Sequence, residues 1–231
     1  MLQDFEKAGN PNHHRIAAVC PPMLKDYVID LSSNLHKEHV TPEEYCCTLS
    51  RLEAIYAAWR AGDDAALILE DDVRIIRWPD EMWDTIISSA PEDWQILHML
   101  PIGDVAVGLL KDEKTPLWLP WRSGLWGTAA YIINRKGMQQ VLNKYVPEYQ
   151  SITKLTHVDF SQMRIDDTRA RCVADWVIYV AAVTWTCTDV FFSEMGDDST
   201  IKQGDLPMHQ QTLQVINEIE TSKKWKLTKI K

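Results

Sequence analysis

An α/β fold is predicted, a mixed and mostly parallel sheet flanked by helices on a single domain spanning residues 1–231. Three observations predict it. Helix-like stretches alternate with short apolar runs, the order expected of an α/β sheet. One run, Ala65-Ala66-Leu67-Ile68-Leu69, is an unbroken apolar pentad between two helical segments, which reads as a buried parallel strand. The chain has 231 residues, 45% of them hydrophobic, enough for a full core, and no linker or repeat divides it.

Taken in order, residues 2 to 8 read as the end of a helix, stopped by Gly9-Asn10-Pro11. Arg15 to Val19 reads as a short strand broken by Cys20-Pro21-Pro22, and residues 25 to 40 as loop or short helix. Thr41-Pro42-Glu43-Glu44 is a helix start. Thr41 caps, proline loses no hydrogen bond at the first position, and Glu44 completes a capping box. Leu49, Leu52, Ile55, Tyr56 and Trp59 then form an apolar stripe at three- and four-residue spacing, ending near Arg60. After the pentad, a helix is expected from Pro79 to Ser89 and a strand within Trp94 to Leu100. Residues 101 to 126 read as loops with short strands. Gly127 to Ile133 reads as a strand, followed by a helix from Arg135 to Tyr145 capped by Asn134. Residues 147 to 173 are ambiguous. Trp176 to Val183 reads as a helix, Val183 to Cys187 as a strand, Phe191 to Gly204 as loop, and Pro207 to Lys223 as the last helix.

Charge narrows the function. With 24 Lys+Arg against 33 Asp+Glu the net charge is -9, and no basic stripe stands out, so a nucleic-acid binder is excluded. A polyanionic cofactor remains compatible, because a metal ion can bridge two anions. The five cysteines form no CxxC pair, which argues against structural zinc and favours a reducing compartment. The polar N-terminus is no signal peptide, and no apolar run is long enough to span a bilayer. Cytoplasmic action is expected. The Lys-rich tail, residues 223 to 231, reads either as a frayed end or as a weak contact with an acidic membrane surface. His13-His14 has no metal-ligand spacing.

Chemistry concentrates directly after the pentad, in Glu70-Asp71-Asp72. Adjacent carboxylates raise one another's pKa unless something positive compensates. The carboxyl ends of strands in open α/β sheets are also where ligands bind. Strand alternation puts Glu70 and Asp72 on one side and Asp71 on the other. A hard divalent cation suits the pair and leaves positions for phosphate oxygens. The plainer reading is a solvated acidic turn.

The segment from Glu44 to Ile55 through Leu67-Ile68-Leu69-Glu70-Asp71-Asp72-Val73 resembles glycosyltransferase family 25, the lipopolysaccharide-type galactosyl- and glucosyltransferases with relatives that modify collagen. Trp126-Gly127-Thr128-Ala129-Ala130-Tyr131-Ile132-Ile133 with Gly137, Ala174-Asp175-Trp176, and Asp198-Ser199-Thr200-Ile201 followed by His209 agree with it, so that the likeness covers roughly residues 1 to 210. Two departures stand out. Arg51 follows Ser50 where the family has His. Residues 5 to 19 look like the segment after the family's first strand, so that strand is expected to be missing; Tyr27 to Leu31 is apolar enough to replace it but lies out of order.

The resemblance implies a GT-A fold, a UDP-sugar donor and Mn²⁺ or Mg²⁺. Asp72 is then the direct metal ligand, with Glu70 beside it and His209 completing the set; a polar helix-start residue is the alternative for His209. Glu70 or Asp71 faces ribose, sugar or metal-bound water. Thr128 and Ser199 serve the donor, a plain solvent turn being the alternative for Ser199, and Gly127 permits close approach of donor sugar or acceptor. Trp118, Trp121 and Trp126 offer faces for the acceptor, with a core role as the alternative for Trp126. Asp175 is the base of an inverting transfer to a glycan, lipid-linked or protein acceptor, its alternative being a helix N-cap. Two other readings are a catalytically degenerate GT-A interaction module and another divalent-metal nucleotide-binding transferase.

Overall fold

The computed structural model describes residues 13–31, 40–77, 82–161, 163, 173–195 and 206–227. The expected helix at residues 2 to 8 lies outside them. In chain order the elements are a 3₁₀ turn Pro21–Asp26, β1 Val28–Leu31, α1 Pro42–Ala61, β2 Ala65–Leu69, β3 Val73–Ile75, α2 Met82–Ser89, β4 Ile96–His98, α3 Asp104–Lys111, β5 Trp118–Pro120, β6 Ala130–Asn134, α4 Arg135–Tyr145, β7 His157–Phe160, α5 Ala174–Tyr179, β8 Thr184–Cys187, β9 Phe192–Glu194 and α6 Leu206–Ser222. The fold is α/β, as expected. Five strands form one sheet in the order β2-β6-β4-β8-β5, in which β4 and β8 run parallel and β5 runs antiparallel to β8. β1 pairs in parallel with β7, and β3 pairs antiparallel with β9.

The chain divides into two compact units. One comprises residues 15–66 and 133–183 and is organised by α1. Thr41 Oγ1 accepts from Glu44 N–H (3.2 Å) and the Glu44 carboxylate accepts from Thr41 N–H (2.8 Å), the reciprocal pair that the sequence implied. Gly62 ends the helix in the left-handed conformation (φ 86°). The Arg135 guanidinium donates to Trp59 O (3.0 Å) in the last turn of the helix and to Asp63 O (3.3 Å) just beyond it, placing a cation at the helix C-terminus. Asn134 caps α4 as expected, through Gly137 N–H (2.9 Å). Leu49, Leu52 and Ile55 on α1, and Met138, Val141 and Leu142 on α4, are fully buried. Tyr145 packs against Phe160 of β7 at 5.4 Å between ring centres.

Of the described residues, the other unit holds 13–14, 67–77, 82–132, 184–195 and 206–227. Its core runs through Leu97, Met99, Ile102, Ala130, Ile132, Cys187 and Phe192, with Val215 and Ile216 of α6 packed on it. His98 of β4 is wholly buried. Its Nε2–H donates to Leu100 O (3.1 Å), so Nδ1 faces the Thr186 hydroxyl (3.5 Å) as an acceptor. Burial pushes its pKa down to about 3, and the ring is neutral.

Several elements differ from expectation. Arg15 to Val19 forms no strand, because only Val19 is buried and its N–H goes to the Ser50 hydroxyl (2.9 Å). β1, in the stretch expected as loop, is stabilised by its partner β7, which lies more than a hundred residues later. α3 lies where loops were expected. Gly103, at φ 117°, turns the chain into it, and its N–H donates to the Thr212 hydroxyl (3.1 Å). β2 has the expected bounds but is an edge strand, exposed at Ala65 and half-buried from Ala66 to Leu69. β6 begins only at Ala130.

The Lys-rich tail, expected to fray or touch a membrane, is docked as far as residue 227. Lys226 Nζ donates to Leu109 O and the Thr188 hydroxyl (both 3.1 Å), and Leu227 is buried. No helix among the described residues is long and apolar enough to cross a membrane.

Replacing Thr41 by Ala removes one half of the reciprocal cap. It is expected to lower stability by about 1 kcal/mol, measured by urea denaturation at neutral pH. A midpoint equal to that of the parent protein would mean the cap contributes nothing.

Candidate functional site

The candidate site is built on the turn between β2 and β3. Glu70 N–H donates to Ala129 O (2.8 Å), holding the end of β2 beside the residue that precedes β6. Val73 N–H returns to Glu70 O (3.4 Å), and the chain reverses through Asp71 and Asp72. β3 then pairs with β9 in the register Val73↔Glu194, and Met195 N–H donates to Asp72 O (2.9 Å). This pairing carries Glu194, a residue that sequence reading missed, to the acidic turn.

Glu194 also meets the first turn of α6. His209 Nδ1 lies 2.9 Å from Glu194 Oε2, so the ring donates its Nδ1–H to the carboxylate. Glu194 is nearly enclosed (11% exposed) and His209 is half-buried (30%). Glu194 thus links three places in the sequence, the acidic turn with Glu70 and Asp72, β9, and His209 of α6. A signal for Glu194 was present: Val190-Phe191-Phe192-Ser193 is rich in strand-forming residues, although the stretch was expected to be loop.

Asp72 registers the charge of this cluster. Partial withdrawal from solvent, followed by the charges of Glu70, Glu194 and Asp71, raises its pKa to about 6. The side chain is exposed at the surface, so a cation can reach it from solution. The closest arginines in sequence are engaged elsewhere. Arg74 forms a fork with Glu220 (2.7 and 3.0 Å), and Arg77 pairs with Asp189 (2.7 Å). The donor chemistry, carboxylate oxygens with an imidazole, fits a hard divalent cation. Among the described residues, no three His, Cys, Asp or Glu side chains converge on one point that could hold an ion. Magnesium-type sites with phosphate substrates need only one or two carboxylates, the phosphates and water supplying the rest.

The other expected site residues fall as follows. Thr128 is buried and presents no open surface. Gly127 has φ 102°, and a Cβ there would stand 2.9 Å from Leu100 O. Close packing of its own backbone thus accounts for this glycine, in place of the expected approach of a sugar. Trp118 is a core residue, 9% exposed, its indole N–H donating to Ser89 Oγ (3.1 Å); it is not an acceptor platform. Trp121 is half-buried and its indole N–H donates to Leu125 O (2.7 Å). Trp126 is half-buried, bridged through its backbone to Ile102 and packed by its indole at Gly103. His13 and His14 are exposed. Ser199 lies outside the described residues.

Asp175 belongs to the other unit and is half-buried in the first turn of α5. The N-cap there is Val173, without a side-chain hydrogen bond, so the capping alternative for Asp175 is corrected. An open depression runs along α6 past Leu213, Gln214 and Asn217, and it includes none of the expected site residues. The candidate site is therefore placed at the acidic turn, where charge is concentrated, and not at this depression.

The raised pKa of Asp72 has a thermodynamic consequence. Between its ordinary value near 4 and about 6, the folded state binds the proton that the unfolded chain has released. Asp72 therefore lowers stability progressively as pH rises through that window, and the loss is complete above it. The substitution Asp72→Asn is expected to raise the melting temperature at pH 7.5 in the absence of divalent ions, with the gain vanishing near pH 4. A gain of equal size at both pH values would overturn the electrostatic account.

Comparison of the chain with protein-family models, with curated proteins and with solved structures finds no match.

Proposed function

We propose that this protein is a metal-dependent glycosyltransferase of GT-A type, similar to family 25, which moves galactose or glucose from a UDP-sugar to a glycan, lipid-linked or protein acceptor with inversion. The observation carrying this reading is the acidic turn after β2. Glu70 and Asp72 stand there with the Glu194–His209 pair joined to the turn through β9, and the Asp72 pKa is raised to about 6 by partial burial first and then by the charges of Glu70, Glu194 and Asp71. The spacing of the turn, the family resemblance and the electrostatics all support a cation that meets a diphosphate.

Asp72 is the carboxylate that holds Mn²⁺ or Mg²⁺, with Glu70 beside it. Glu194 fixes the tautomer of His209, because a ring that donates Nδ1–H to a carboxylate carries its lone pair on Nε2. That arrangement is the one in which a ligating histidine is oriented by an outer carboxylate. The cation, when bound, neutralises charge on the departing nucleoside diphosphate. Asp175 takes the proton of the acceptor hydroxyl. A cytoplasmic location belongs to the same proposal.

Calorimetry with UDP, with and without Mn²⁺, tests the reading. Metal-dependent UDP binding is expected, and Asp72→Asn should weaken it at least tenfold. Asp175→Asn should leave that binding within twofold while reducing sugar transfer by about 10²- to 10⁴-fold, the usual contribution of a general base. Absence of nucleotide binding under both conditions would favour a degenerate interaction module. Binding of a nucleotide without turnover of any sugar donor, in a panel assayed for Mn²⁺-dependent donor hydrolysis, would favour a different nucleotide transferase.

A further inference from the structure

The pairing that brings Glu194 to Asp72 is short. β3 and β9 contribute three residues each, and a two-stranded ladder of that size is marginal alone. Something outside the ladder must hold it, and the contacts at its end identify what does. Ile76 and Arg77, just past β3, both donate their backbone N–H to Phe191 O (3.0 and 3.2 Å), extending the contact to the residue before β9.

The Arg77 side chain then crosses to the same segment. Its Nε–H donates to Val190 O (2.9 Å) and Nη2 pairs with Asp189 Oδ2 at 2.7 Å. The guanidinium is stacked, its carbon 4.3 Å from the ring centre of Phe191 and 4.3 Å from that of Trp225. A planar, weakly hydrated cation is suited to such stacking. Asp189 Oδ2 also accepts the N–H of Leu227 (2.9 Å), and its Oδ1 accepts from Val190 N–H (2.9 Å). The residues after α6 therefore close over the Arg77–Asp189 pair, whose side chains are only 11% and 2% exposed. Lys226 fastens the same segment to Leu109 O and Thr188 Oγ1.

We propose that the C-terminal segment 223–227 is a strap that positions the candidate site, with Trp225 and Leu227 acting through Arg77 and Asp189 to hold β9, and with it Glu194, against the acidic turn. The consequence for metal and nucleotide rests on the glycosyltransferase reading; the mechanical claim does not. Trp225 is a positioning residue, since it reaches the site through Arg77. Removing its ring opens the guanidinium to water, loosens the Arg77–Asp189 bracket and frees the short ladder to separate.

The test is amide hydrogen exchange on the full-length protein carrying Trp225→Ala or Trp225→Phe, with Mn²⁺ titration of each. The Ala variant is expected to speed exchange at Ile76, Arg77 and Met195 at least tenfold, with the amides of α1 and α4 unchanged, and to weaken Mn²⁺ binding at least fivefold. The Phe variant, which keeps an aromatic face over Arg77, should restore both. Unchanged exchange at Met195, faster exchange everywhere alike, or failure of Phe to rescue would overturn the strap. If the parent protein binds no Mn²⁺, the metal reading falls, and the exchange pattern still decides whether the strap holds β9.

Discussion

The three-residue pairing of β3 with β9 is the constraint on which the candidate site depends. It is the contact that turns an acidic turn into a charge cluster. Without it, Glu70, Asp71 and Asp72 would be a hairpin end with water on every side. With it, Glu194 joins them from more than a hundred residues further on and brings His209 through a short hydrogen bond. The resulting repulsion is a real cost, carried by a bracket of buried Arg77 and Asp189 only a few residues away. Such local conflict with global compensation is the expected signature of a functional site.

The proposed chemistry uses this conflict directly. A folded protein gains nothing from crowding carboxylates, unless a cation removes the repulsion when it binds. The His209 ring, oriented by Glu194, adds a nitrogen donor to a set otherwise made of oxygen, which suits manganese as well as magnesium. Gly127, Thr128 and Trp118, in contrast, are explained by packing: a tight backbone approach, a buried hydroxyl and a core indole. The fold gives each of them a structural reason of its own.

Legibility followed the range of the interactions. Elements decided by neighbours in sequence were readable. α1 has a reciprocal cap, α4 has Asn134, and β2 is an apolar pentad with punctuation on both sides. β1, β3, β7 and β9 were not, because each is short and exists through a distant partner. α3 was concealed by Gly103 and Gly108, one of which is needed to enter the helix. In the site, Glu70 and Asp72 were visible because they adjoin the pentad, and His209 came through resemblance. Glu194 required knowing that Phe192-Ser193-Glu194 is a strand and which strand it pairs with. The role of Arg77 required tertiary contacts that no spacing rule supplies.

The wholly buried His98 gives the molecule a second acid-sensitive group whose sign is opposite to that of Asp72. Below its ordinary value near 6.5 the unfolded chain takes up a proton that the folded ring refuses, so His98 costs stability as the medium is acidified. Asp72 returns stability over nearly the same span, between about 6 and its ordinary value. The two slopes offset one another, and across mildly acidic conditions their combined contribution is flatter than either alone. A cation bound at Asp72 would lower the pKa of that carboxylate and withdraw its share of the compensation. Occupancy of the turn would then sharpen the response of the whole fold to acid through a histidine that never touches the ion.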